Sequence, residues 1–300
     1  MQHYPIGTPG EAWQQRDKQT WLNQAKLQRS YQSLVLDPLQ ELGYDMKVLQ
    51  YGALSYQSER YPLYLLQSSN WHSDKPAVLI TGGVHGYETS GVLGALRFAK
   101  HHLGRYLDDF RFVIAPCVSP WAFETVNRWN PHAQDPNRSF SAHSDCEESQ
   151  LLMGQLSELS CKFLMHIDLH ETTDSDETEF RPALAARDGK EFEPCYIPDG
   201  FYLVGNQAQP QPEFHQAIIR EVAKVTHIAE PDNQGRLYDA QMKQPGVIHY
   251  PVENLHLCTG ITGAPFSTTT EVYPDSERVD AENCIQAQVT AICAALDFLI

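Results

Sequence analysis

The chain has 300 residues, 42% of them hydrophobic and 10% aromatic, which is enough for a large buried core. A formal net charge of −16 leaves no clustered Lys/Arg for a polyanion and argues against nucleic acid or an acidic membrane surface as partner. No run of about 18 apolar residues is available to cross a bilayer, and "MQHYPIGTPGEAW" has neither a basic start nor an apolar signal core, so a cytoplasmic protein is expected.

Seven cysteines (Cys117, Cys146, Cys161, Cys195, Cys258, Cys284 and Cys293) are scattered without a C-x-x-C pair and read as reduced thiols. No repeat, low-complexity tract or long linker divides the chain. One domain over residues 1–300 is expected, with an N-terminal helix and hairpin extension over about residues 1–70.

In chain order, residues 11–42 are polar, Gln-rich and helical in pattern, and "YDMKVLQYGALSYQ" and "RYPLYLLQS" alternate like paired strands. "AVLIT" (77–81) is an unbroken apolar run that suits a strand buried on both faces. A glycine loop, "TGGVHGYETSG" (81–91), follows, and then Val92, Leu96, Ala99 and Leu103 recur at helical spacing. "RFVIAPCV" (111–118) reads as a second buried strand, and "SDCEESQLLMGQLSEL" as a helix opened by a capping box of Ser144 and Glu147. "FLMHIDLH" (163–170) and the β-branched run "FSTTTEVY" (266–273) read as further strands; Ile285, Val289, Ile292, Leu296 and Leu299 mark one face of a last helix. This alternation predicts an α/β protein with a mainly parallel or mixed central sheet and helices on both faces. Ligands in such folds bind beyond the carboxyl ends of the strands.

His85 and Glu88 lie just past the end of one buried strand, and their spacing lets both side chains reach one point. Alone, H-x-x-E is a weak signal. His170, at the end of another strand, offers a third ligand from a separate element. Two His and one Glu with an open fourth position are the ligand set of a catalytic zinc, whereas structural zinc is normally closed by protein ligands. His166 and Asp168 share a strand face with His170 and read as core packing or as support for the ligand.

Between these ligands, Arg128 precedes a compact D-x-N-R of Asp135, Asn137 and Arg138, and a late strand carries Glu271. The ordered set resembles the zinc metallocarboxypeptidase (M14) superfamily over about residues 77–275. Arg128 and Asn137 are nine positions apart, a short interval that is similar to the aspartoacylase and succinylglutamate desuccinylase branch. The resemblance implies a carboxypeptidase-like fold and one zinc per chain on His85, Glu88 and His170. It makes Glu271 the general base, Arg128 the stabiliser of the oxyanion and Asp135 the partner of the His85 nitrogen away from the metal. Asn137 and Arg138 would grip a substrate carboxylate. Tyr250 would cap the substrate, with Tyr238 as competitor.

The acidic run within 171–194 reads as a solvated face, with Arg181 as an alternative partner for an acidic substrate side chain. The implied reaction is metal-dependent removal of a C-terminal amino acid from a peptide. The alternatives are deacylation of an N-acyl amino acid and a non-catalytic zinc-binding module. Retention of Glu271 beside all three ligands argues against the last.

Overall fold

A mixed eight-stranded sheet runs through the molecule, with a parallel centre flanked by an antiparallel pairing on each side. The computed structural model describes residues 4–72 and 74–300. Its strands are β1 (Met46–Ala53), β2 (Pro62–Ser68), β3 (Ala77–Gly82), β4 (Arg111–Ala115), β5 (Phe163–Glu171), β6 (Tyr202–Asn206), β7 (Arg236–Leu237), β8 (Ala240–Gln241), β9 (Val247–Tyr250) and β10 (Phe266–Val272). The helices are α1 (Gln15–Leu22), α2 (Asp37–Gln40), α3 (Thr89–His101), α4 (Pro120–Thr125), α5 (Glu147–Glu158), α6 (Arg181–Arg187), α7 (Pro212–Val222) and α8 (Ala281–Leu299). The central strands β4, β3, β5 and β10 pair in parallel. The expected hairpin β1–β2 does form, and it extends this sheet through an antiparallel pairing of β2 with β4. On the other side β6 pairs antiparallel with β10 and parallel with β9.

Strand alternation divides the core between the two faces. Val78, Ile80, Phe112, Ile114, Ile167 and Leu169 point toward α3, α7 and α8. Leu79, Val113 and Ala115 point the other way, against Leu152 and Leu156 of α5. On β5 the second face is polar, because His166, Asp168 and His170 alternate with Ile167 and Leu169 and are themselves fully buried. Among the described residues no helix is long and apolar enough to cross a membrane.

Several local expectations change. Residues 11–42 are not one helix: α1 stops at Leu22 and the chain resumes helical turns only from about Gln32. Between them Gln28 N and Arg29 N donate to Glu124 O at 2.7 and 3.3 Å, so this stretch serves the C-terminal carbonyls of α4. The capping box of Ser144 and Glu147 does not form. Helix α5 starts from Cys146, Ser144 Oγ accepts from Cys146 N at 3.1 Å, and the Glu147 carboxylate is spent on the backbone and side chain of Ser55. Strand β4 ends at Ala115, before Pro116, which has no N–H for a ladder. Within the acidic segment 171–194, residues Asp176–Phe180 form a wide helical turn that runs into α6.

Candidate metal centre and active site

The first ligand loop leaves β3 and rests on α4. A Cβ added at Gly86 would lie 2.1 Å from Ala122 C and Phe123 N, so glycine is what allows the loop to sit against that helix. Tyr87 N donates to Asn127 O at 3.0 Å and fixes the other side of the loop. Glu88 is the N-cap residue of α3, yet its side chain makes no cap. The N-terminal amide of Ser90 is satisfied instead by Glu171 Oε1 at 2.6 Å. The Glu88 carboxylate is thereby released to face the two histidines.

His85 Nδ1 lies 2.8 Å from Glu88 Oε1, and His170 Nδ1 lies 2.8 Å from Glu88 Oε2. Each imidazole is held from behind: His85 Nε2 by Asp135 Oδ1 at 2.9 Å, and His170 Nε2 by Asp168 Oδ2 at 2.7 Å. Asp168 is itself fixed by Thr81 Oγ1 at 2.7 Å, and Thr81 also meets His166 Nε2 at 3.0 Å. Asp168 is thus tied to both His170 and Thr81 and is not inert packing. Both inner nitrogens therefore converge on one carboxylate, with the rings 5.0 Å apart and nearly perpendicular.

One ligand atom from each of His85, Glu88 and His170 lies within 4.8 Å of the others, and all three residues are buried. Glu88 Oε2 completes no well-formed hydrogen bond despite the nearby imidazole nitrogen. An orphaned buried carboxylate oxygen between two pre-oriented imidazoles suits a metal ion. Burial opposes charge on Glu88, but His170 and then His85 outweigh it and bring its pKa down to about 2. Burial likewise opposes charge on His170, while Asp168 and Glu88 hold its pKa well above the usual imidazole range. The carboxylates demand positive charge at this point, from a proton on His170 or from a cation.

Glu271 stands level with His170 across the parallel β5–β10 pair and on the same sheet face. Burial, abetted by Glu88 and Asp176 and opposed by His170, pushes its pKa up to about 8. Its Oε2 accepts from Thr172 Oγ1 at 3.0 Å, and Thr172 in turn meets Tyr202 OH at 2.7 Å.

Arg128 donates from Nε to Asp135 Oδ2 at 3.1 Å and from Nη1 to Asp176 Oδ1 at 3.1 Å. Asp176 is buried and also accepts from Tyr87 OH at 3.1 and 3.0 Å. The reading of the acidic run as a solvated face thus fails at Asp176, because it neutralises an arginine inside the pocket; Asp174 and Glu179 do remain exposed. Arg181 stacks over the Tyr238 ring at 5.3 Å and donates to Glu193 O at 3.2 Å.

Asn137 Oδ1 accepts from Cys258 N at 2.8 Å, and Nδ2 is 3.5 Å from His170 Nε2. Arg138 is exposed and spends one donor on the Asn137 carbonyl at 2.8 Å. Tyr250 donates its hydroxyl to Asp239, while Tyr238 is held in the left-handed region at φ 55°. These residues line one cavity of about 710 Å³ together with His85, Glu88, His170, Asp135 and Glu271. Tyr87, Asp176, Glu171 and Thr172 are additions that the sequence reading did not single out. Glu171 had a signal, its position directly after a ligand at a strand end; Asp176 was hidden by its acidic neighbours.

A sequence model of the succinylglutamate desuccinylase/aspartoacylase catalytic domain matches residues 74–244. Among curated proteins no sequence relative matches. Solved structures share the fold. A provisionally assigned metallopeptidase of Shewanella amazonensis is 19% identical, with a TM-score of 0.67 over 92% of this chain and 99% of its own. A metallo-carboxypeptidase of Burkholderia cenocepacia is 17% identical, with a TM-score of 0.57 over 90% and 69%. A metallo-carboxypeptidase of Pseudomonas aeruginosa, solved with (2-guanidinoethylmercapto)succinic acid, is 15% identical, with a TM-score of 0.59 over 90% and 68%.

Proposed function

We propose, from the premise that the chain belongs to the succinylglutamate desuccinylase/aspartoacylase family within the M14 superfamily, that it hydrolyses the amide bond joining a C-terminal amino acid to the acyl group before it. The observation that carries this reading is the convergence of the His85, Glu88 and His170 cluster with Glu271 and Arg138 on one cavity. His85, Glu88 and His170 would hold one zinc ion, which when bound acts as a Lewis acid and brings the pKa of water to about 7.

The chain's own residues supply the rest. Glu271, level with His170 on the neighbouring strand, is the base that takes the proton of the attacking water and returns it to the leaving amine. Arg128, whose guanidinium is held by Asp135 and Asp176, stabilises the negative charge that develops on the scissile carbonyl oxygen. Asn137 and Arg138 receive the substrate carboxylate; the exposed fork of Arg138 retains donors for it. Tyr250 closes over the substrate from the cavity wall, with Tyr238 beside it.

The cavity, about 710 Å³, leaves room for a peptide on the acyl side. That room is compatible with a carboxypeptidase-type cleavage. Family membership favours the second reading, a deacylase of N-acyl amino acids. A series of substrates with the same terminal residue tests both: blocked dipeptides, longer peptides, N-acetyl and N-succinyl amino acids, each as free acid and as amide. The free-acid peptides should be hydrolysed and the amides should not. Hydrolysis of the short N-acyl amino acids alone selects the deacylase, and equal rates on acid and amide overturn the carboxylate anchor.

A further inference from the structure

The family match begins at residue 74, yet an arginine far before it reaches the metal loop. Arg29 Nη2 donates to Gly86 O, Nη1 donates to Thr89 Oγ1, and Nε donates to Phe123 O. Its guanidinium carbon lies 3.8 Å from the centroid of the Phe123 ring. Gly86 lies between the two ligands of the loop and Thr89 directly follows Glu88, so one planar group brackets Glu88 from both sides. It also ties that loop to the same turn of α4 on which Gly86 rests. Among the described residues no carboxylate forms a direct ion pair with Arg29, although Glu171 lies near enough to favour its charge. A half-buried cation whose donors all go to carbonyls and a hydroxyl is spent on geometry, since burial opposes its charge.

We propose that Arg29 is a positioning residue for the metal centre: it fixes the backbone of the His85–Glu88 loop so that both side chains meet His170. The inference rests on the reading that His85, Glu88 and His170 hold the metal. It makes the N-terminal segment, which lies outside the family match, a working part of the site. Lysine cannot replace it, because three donors in one rigid plane are used at once and an ammonium has no plane to stack on Phe123.

The test is zinc affinity of the full chain, measured by competition with a chromophoric chelator, for wild type, Arg29→Lys, Arg29→Ala and Gln28→Ala. The last removes only the bond from Gln28 Nε2 to Thr125 O at 2.9 Å. Both Arg29 variants should bind zinc roughly 10- to 100-fold more weakly, the usual cost of losing an outer support of a metal site, and Gln28→Ala should bind as wild type. Thermal melts of the metal-free proteins separate this from a general loss of stability, which would lower the melting temperature and leave zinc affinity unchanged. If Arg29→Ala does not fold, Arg29→Lys decides. An Arg29→Lys variant with wild-type zinc affinity overturns the proposal, whereas a wild type that binds no zinc overturns the ligand assignment beneath it.

Discussion

Asp135 Oδ1 meets His85 Nε2 at 2.9 Å, on the side of the ring away from Glu88. That contact sets which nitrogen of His85 is offered inward, since a carboxylate acceptor behind an imidazole holds the proton at the rear. Replacing Asp135 with Asn should therefore weaken zinc binding by about 10- to 100-fold while the fold persists. Chelator competition reads the loss, and an unchanged affinity would remove Asp135 from the support of His85.

Metal content is the plainest check of the cluster. The purified protein should carry one zinc per chain, by elemental analysis, and should lose activity on chelation. His170→Ala should abolish the retained metal, because no other group of three or more candidate ligands exists among the described residues. Retention of stoichiometric zinc by that variant would place the metal elsewhere.

Glu271→Gln separates base from ligand. With the metal shell intact, the variant should keep its zinc and lose kcat by about 10² or more, the range for a positioned proton acceptor. Loss of zinc in place of kcat would turn Glu271 into a ligand.

Arg138→Ala addresses the anchor. Arg138 is exposed in the absence of substrate, so its contribution is that of a charged hydrogen bond near solvent, about 1.5–3 kcal/mol. The expected result is a fall of roughly 10- to 100-fold in kcat/KM for free-acid substrates, with little change for any amide that is turned over. A uniform fall on both would assign Arg138 to the fold.

His215 on α7 is fully buried, and neither ring nitrogen completes a hydrogen bond. Burial, helped by His249, lowers its pKa to about 4. The unfolded chain takes up a proton there near pH 6.5 and the folded one only near 4, so the unfolded state binds more protons in that window. The share of stability that His215 contributes, about 3 kcal/mol, should be lost as pH drops from 6.5 to 4 and change no further below. Denaturant melts of the metal-free protein at several pH values check this: His215→Met should flatten the slope, and an unchanged slope would rule His215 out as its source.

The strands that carry the site could be read from the sequence because each is a local pattern. "AVLIT" announces β3, the alternation in "HIDLH" puts three polar groups on one face, and "STTTEV" marks β10. The residues left unread act through long-range contacts. Arg29 meets Gly86 across 57 positions and Asp176 meets Arg128 across 48. Their chemistry is not encoded in their neighbours: Arg29 sits in an ordinary polar stretch, and Asp176 among acids that do face water. The expected helix over residues 11–42 failed for the same reason. Propensity favoured it, but the carbonyls at the end of α4 needed donors and took them from Gln28 and Arg29.

The level pairing of Glu271 with His170 on adjacent parallel strands has a consequence for how this protein can change over generations. Along a strand the two faces alternate with every residue, so gaining or losing a single codon between Phe266 and Thr270 would turn Glu271 away from the cavity and bring a neighbour in its place. Substitutions in that stretch are a matter of degree, but a change in its length is a matter of parity. Lineages that keep the reaction can vary what β10 is made of and must conserve its count.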